Sequence, residues 1–182
     1  TLLITFLGTG SYRTASYTWN DEVLPPNRFI AVELARRLLK DDTHLEVTVL
    51  STEESRRING QALKDALQQL EVEACFRVIP YQYDNPAGAS QLFEVLADLP
   101  QLGYKTVYLD ITHAFRAMPF LAGAALAFVQ MVNAERQERP DIQILYGAVE
   151  DIQREQRSPS APIAQVETRN GCVWELGDYL HN

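Results

Sequence analysis

Two hydrophobic periods alternate along the chain. Leu2 to Leu7 is a continuous apolar run stopped by Gly8-Thr9-Gly10-Ser11, which reads as a buried strand. From about Asn27 to Lys40, Phe29, Ile30, Val32, Leu34, Ala35, Leu38 and Leu39 fall near helical spacing. Leu45 to Leu50 is a second strand, ending in Ser51-Thr52. Asn59 to Leu70 sets Ala62, Leu63, Ala66, Leu67 and Leu70 on one helix face. Cys75 to Ile79 reads as a third strand, Ala87 to Leu99 as a third helix and Thr106 to Ile111 as a fourth strand. Pro119 to about Gln137 is a long, mostly apolar helix, and Ile142 to Ala148 a fifth strand.

Strands alternating with helices imply βαβ units, whose right-handed crossovers build a parallel sheet covered on both faces. The expected fold is therefore α/β: a Rossmann-like, doubly wound, mainly parallel sheet. The tail departs from this rhythm. Arg154 to Pro162 reads as an exposed loop, Ile163 to Thr168 alternates apolar with polar, and Asn170-Gly171 predicts a two-residue hairpin turn before Cys172-Val173-Trp174. A C-terminal β-hairpin closes the fold. Residues 1–168 form one domain, and 169–182 finish the hairpin and serve as a connector. About 17 residues separate Gly8-Thr9-Gly10-Ser11 from the first helix, long for a βα loop. Tyr17-Thr18-Trp19 and Glu22-Val23-Leu24, around Asn20-Asp21, predict a small hairpin inside it, with aromatics placed to cover a base or to pack on their own domain.

Charge narrows the functions such a sheet can serve. The 182 residues carry 16 Lys+Arg against 24 Asp+Glu, a net charge of −8. That balance argues against a coat for long DNA or RNA, which needs clustered cations. It leaves room for a small anion held by backbone amides and a few arginines. The uncharged run from Ala117 up to, but not including, Glu135 contains Pro119, Gly123, Gln130 and Asn133, and reads as a buried helix rather than a membrane span. Being apolar nearly all round, it calls for a second covering surface, most simply another copy of the chain. Only two cysteines, Cys75 and Cys172, are present, which suggests a reducing cytoplasm. His44, His113 and His181 are scattered without a cysteine at ligand spacing, so no metal and no cofactor are expected. The chain starts at Thr1 rather than Met, which leaves room for residues before it, and its first residues read as a strand rather than a leader.

Ligands of open α/β sheets bind outside the carboxyl ends of the strands. After strand one, Gly8-x-Gly10 permits a tight turn, while Thr9, Ser11 and Arg13 add donors for an anion. It is neither a dinucleotide fingerprint, since Arg13 stands at the third glycine position, nor a P-loop. The lack of a clear acid after strand two also weighs against a nucleotide-cofactor enzyme. After strand four, Thr112, His113 and Arg116 crowd a strand-to-helix junction just before Pro119. Arg116 offers a bidentate phosphate contact and His113 a hydrogen bond or a proton near neutral pH. Asp110 is expected to orient His113 or Arg116 rather than to meet an anion. Glu53-Glu54 after strand two reads as a solvated helix start. Arg37 and His44 have a loose ribonuclease spacing, but straddle the end of the first helix.

Phe6-Leu7-Gly8-Thr9-Gly10-Ser11-Tyr12 resembles the opening of the CRISPR-associated Rossmann-fold (CARF) sensor domains. Asp110-Ile111-Thr112-His113-Ala114-Phe115-Arg116-Ala117-Met118-Pro119 resembles the D-x-T-H-x-F-R-x-x-P signature of one branch of that family. Leu145 to Glu150 is similar to the branch's fifth strand and Ala161-Pro162-Ile163 to a later one. The resemblance covers roughly residues 2 to 168. It implies a homodimeric sensor of cyclic oligoadenylate, the messenger made by type III CRISPR complexes in antiviral defence. The ring would lie across the two-fold axis, touched by Gly8, Thr9, Gly10 and Ser11 from one loop and Thr112, His113 and Arg116 from the other, with Arg13 and Tyr12 beside them.

Family members often carry a second effector domain, and no ribonuclease motif is present in this chain. Two functional readings follow. One is a binding module, probing for cyclic tetra-adenylate and signalling to a fused effector that this chain lacks. The other is a stand-alone ring nuclease, metal-independent, with His113, Arg116 and Ser11 as catalytic residues. Neither long nucleic acid nor a membrane is an expected partner.

Overall fold

Leu2, Ile4 and Phe6 point to one face of strand β1 (Leu2–Leu7), Leu3 and Leu7 to the other, and all six residues of the strand are buried. A strand with both faces covered belongs at the centre of a parallel sheet. In a computed structural model, residues 1–79, 103–114, 140–149 and 169–175 are described, together with 90, 93–95, 98, 123–124, 127–128 and 131. Most of the expected helices Ala87 to Leu99 and Pro119 to Gln137 lies outside the described residues. So do the loop from Arg154 to Pro162, the segment Ile163 to Thr168 and the connector from Gly177.

The described elements run β1, β2 (Ala15–Trp19), β3 (Glu22–Val23), α1 (Ile30–Leu38), β4 (Glu46–Ser51), α2 (Glu53–Ser55), a π-helical turn (Arg56–Gly60), α3 (Gln61–Gln68), β5 (Ala74–Val78), β6 (Thr106–Asp110), β7 (Asp141–Val149) and β8 (Arg169–Glu175). The strands form one eight-stranded sheet in the order β3-β2-β8-β7-β6-β1-β4-β5. The five from β5 to β7 are parallel, and β8 runs antiparallel to β7. The α/β, Rossmann-like, mainly parallel expectation is met, and the C-terminal hairpin is the antiparallel pair of β7 and β8. From β1 the chain builds outward on one side through β4 and β5, then on the other through β6 and β7. The order therefore reverses at β1 and β6, and a crevice opens beyond their carboxyl ends.

The core lies on both faces. Leu3, Leu7, Val47 and Val49 meet Ile30, Leu34 and Leu38 of α1 and Leu63 and Leu67 of α3. Leu2, Ile4, Phe6, Leu50, Val107 and Leu109 form the opposite cluster. Glu33 is buried in α1, yet Asn27 Nδ2 and Arg36 Nε both donate to it, at 2.6 and 3.0 Å, so its charge is compensated.

The small hairpin expected around Asn20-Asp21 is present. Asn20 and Asp21 take φ of 48° and 62°, left-handed values that short polar side chains tolerate and a two-residue turn requires. Its position was not foreseen: β2 joins the main sheet beside β8, four strands from β1. At about 4.8 Å per strand that is roughly 19 Å. The eight residue steps from Leu7 to Ala15 reach at most about 26–29 Å, enough to turn at Gly8–Gly10 and still cross the carboxyl ends of β6 and β7.

The expected turn at Asn170-Gly171 is corrected. Both residues lie inside β8, Asn170 opposite Ser16 and Gly171 opposite Tyr17 and Val149. Close packing rather than a turn accounts for this glycine. A Cβ on Gly171 would come within 2.5 Å of the Ala148 carbonyl oxygen and 2.9 Å of the Tyr17 ring. Likewise, the second helix starts earlier than Asn59, at α2. Thr52 Oγ1 accepts from the Ser55 amide and Ser55 Oγ from the Thr52 amide, a reciprocal cap, and Glu53 and Glu54 form an exposed first turn.

Candidate functional site

Thr5 and Asp110 face each other across β1 and β6, Asp110 as the last residue of β6 and Thr5 two residues before the end of β1. Thr5 Oγ1 donates to Asp110 Oδ2 at 2.7 Å, and the Thr112 amide donates to Oδ1 at 3.0 Å. Asp110 is fully buried with both carboxylate oxygens occupied. The expectation that it orients His113 or Arg116 is therefore corrected for His113: the carboxylate holds Thr5 and the loop backbone at Thr112. Arg116, the other expected partner, lies outside the described residues. Thr112 Oγ1 in turn accepts from the Gly147 amide at 2.8 Å, so a polar chain ties β1, β6 and β7 at their carboxyl ends.

Above that chain a cleft of about 580 Å³ is lined by Gly8, Thr9, Gly10, Ser11, Tyr12, Arg13, Ala15, Tyr17, Arg28, His113 and Ala114. Seven residues singled out in the sequence thus converge: Gly8, Thr9, Gly10, Ser11, Tyr12, Arg13 and His113. Thr112 supports the floor through Gly147 and is not part of the lining.

Gly8 uses both backbone groups internally. Its amide donates to the Tyr12 hydroxyl at 2.5 Å and its carbonyl accepts from Asn59 Nδ2 at 3.0 Å. Burial pushes the Tyr12 phenol up to about 12, with the Gly8 hydrogen bond opposing, so it stays neutral over the physiological range. The expected amide donor at Gly8 is therefore already engaged by Tyr12. Among the described residues, the amides of Thr9, Gly10 and Ser11 meet no acceptor. Three consecutive amides without an acceptor at such a turn are donors an anion could use.

His113 is partly buried, its ring 4.3 Å from that of Tyr12 at an interplanar angle of 70°. Burial lowers its pKa below the ordinary imidazole value, and the nearby Asp110 carboxylate opposes the shift. The shift favours the neutral ring, in which one nitrogen donates and the other accepts.

Arg28 and Asn59 carried no sequence signal as site residues, whereas Tyr17 is one of the aromatics expected either to cover a base or to pack on their own domain. Arg28 lines the cleft just before α1. Tyr17 of β2 lines it and packs against Gly147, whose added Cβ would lie 3.0 Å from the Tyr17 ring. Asn59, buried in the π-helical turn, donates to both the Gly8 and Gly10 carbonyls, at 3.0 and 3.1 Å. A π turn adds one residue to the helical register and swings a side chain off the ordinary face, a device common near functional sites. Trp19 of β2, by contrast, packs on its own domain: its Nε1 donates to Glu175 at 2.7 Å and its ring meets Tyr108 edge-on. Arg37 is paired with Glu22 and Asp41, away from the cleft.

Among the described residues no group of three or more His, Cys, Asp or Glu side chains is arranged to hold a metal ion. No helix among them is long and apolar enough to cross a membrane. The chain matches no protein-family model and no curated protein sequence.

Proposed function

We propose that the protein is a cytoplasmic sensor module for cyclic oligoadenylate, with cyclic tetra-adenylate as its ligand. The observation that carries this reading is the cleft at the reversal point of the sheet, where the free amides of Thr9, Gly10 and Ser11 stand beside Arg13 and Arg28. Such a receptor suits a phosphodiester in an otherwise acidic chain. The sequence resemblance supplies the ring. In a homodimer each donor would appear twice around a two-fold axis, which matches an even-numbered ring. Occupancy would then be passed to a type III CRISPR antiviral effector fused to this domain. Calorimetry with cyclic tetra-adenylate and cyclic hexa-adenylate tests the reading. Uptake of one ring per two chains is expected with the tetra-adenylate. No heat and no thermal shift with either ring would overturn it.

A second reading, cleavage of the same ring, is favoured by the neutral imidazole of His113 at the cleft. A neutral ring can take the proton of a ribose 2′-hydroxyl as its oxygen bonds to the adjacent phosphorus and the P–O5′ bond breaks; the departing 5′-oxygen takes up a proton from water, and the linear product ends in a 2′,3′-cyclic phosphate and a 5′-hydroxyl. Incubation of the ring with protein in EDTA, followed by chromatography, separates the two: an intact ring after long incubation rules out cleavage.

A further inference from the structure

Arg28 differs from the neighbouring arginines in what holds it. Arg36 is paired with Glu33, and Arg37 with Glu22 and Asp41. Arg28 donates through Nη2 to a neutral acceptor, Asn59 Oδ1, at 2.9 Å, and among the described residues no carboxylate pairs with it. Its guanidinium carbon lies 5.1 Å from the centre of the buried Phe29 ring. Its backbone is fixed from both sides: Asn27 and Ala15 exchange two hydrogen bonds of 3.0 Å, and Asn27 Oδ1 accepts from the Phe29 amide at 3.0 Å. The side chain lines the cleft, and among the described residues Asn59 takes only one of its five donors.

Asn59 is what couples this cation to the glycine turn. Its Oδ1 is taken by Arg28 and its Nδ2 bridges the Gly8 and Gly10 carbonyls, so one buried amide sets both the guanidinium and the turn. We propose that Arg28 is a phosphate-binding side chain of the cleft and Asn59 its positioning residue, a pair that lies outside the glycine turn and the Thr112-His113-x-x-Arg116 segment. The chemical class recognised is a phosphodiester, gripped by the edge of the guanidinium fork while the free amides of the turn meet the same or the adjacent phosphate. With a cyclic ligand this rests on the sensor reading; the phosphodiester contact itself does not need the ring.

Titration of the full chain with cyclic tetra-adenylate and with linear diadenosine monophosphate, at several salt concentrations, tests the pair. Arg28 is exposed, so Arg28→Gln should keep the wild-type melting temperature. It should weaken binding about 10- to 100-fold and cut the slope of log affinity against log salt by about one. Arg28→Lys should restore the salt slope with affinity between the two, since it keeps the charge and loses the fork. Asn59→Leu should weaken binding, and in the double variant with Arg28→Gln the two losses should fall short of their sum. Additive losses would make Asn59 merely structural and overturn its role. Wild-type affinity in Arg28→Gln would overturn the inference and leave the sensor reading standing. Binding of the linear dinucleotide but not the ring, with loss in Arg28→Gln, would end the sensor reading and uphold Arg28. Binding of neither probe to the wild type would overturn both.

Discussion

His113 stands where burial and a carboxylate pull its imidazole in opposite directions, and burial prevails. The folded chain therefore holds this proton less readily than the unfolded chain does. Where the unfolded state binds more protons, stability rises with pH. The contribution of His113 is complete above the ordinary imidazole value of about 6.5 and declines as pH falls below it toward the depressed folded-state value. For one proton the slope is at most about 1.4 kcal/mol per pH unit. His113→Gln should flatten the decline below about pH 6.5, read as the difference between wild-type and variant melting curves. Parallel curves would show that burial of this ring has no thermodynamic consequence. At this scale the sequence was informative about chemistry and not about partners. Tyr12, Ser11, Arg13 and His113 are recognisable as polar residues after strands, but nothing in the sequence picks Tyr12 as the Gly8 acceptor or Thr112 as one Asp110 partner, and the other, Thr5, is over 100 positions away.

Among the elements, β7 packs tightly against the rest of the fold at Gly147. A Cβ there would lie 2.3 Å from Ile30 Cδ1, 3.0 Å from the Tyr17 ring and 3.1 Å from Thr112 Oγ1. α1, β2 and the loop after β6 thus converge on one residue with no side chain. Gly147→Ala should destabilise the fold by about 1–3 kcal/mol through overpacking, read from the denaturant midpoint at constant slope. It should also disturb Thr112, whose hydroxyl accepts from the Gly147 amide. An unchanged midpoint would mean that Ile30 repacks freely. Element type and order were legible for β1, α1, β4, β5, β6 and β7 because apolar runs and helical spacing are local signals. The β2–β3 hairpin was legible too, since Asn20-Asp21 suits left-handed backbone. The same rule misread Asn170-Gly171. Small residues that suit a tight turn also suit a strand that another side chain must cross, and a single sequence does not separate the two.

For the whole molecule, charge and topology bear on function together. The net charge of −8 opposes long polyanions, whereas Arg13 and Arg28 concentrate positive charge within one cleft. If the proposed sensor reading holds, single-stranded RNA of about 30 nucleotides should not be retarded in a gel at near-physiological salt at protein concentrations that bind cyclic tetra-adenylate. Comparable retention of both would replace a selective pocket with a general nucleic-acid surface.

Period and composition alone determined the α/β class, the parallel order of strands and helices, the glycine turn and the Asp110 to His113 segment as the places where a ligand would meet the sheet. These follow from local sterics, burial and the rule that such sheets bind at strand ends. Only the tertiary structure decided that β2 and β8 extend the sheet, that Asp110 is a buried tie between β1 and Thr112, and that Arg28 and Asn59 complete the cleft. Each of those depends on residues brought together by crossover connections, and pairing across the sheet leaves no periodic trace along the chain.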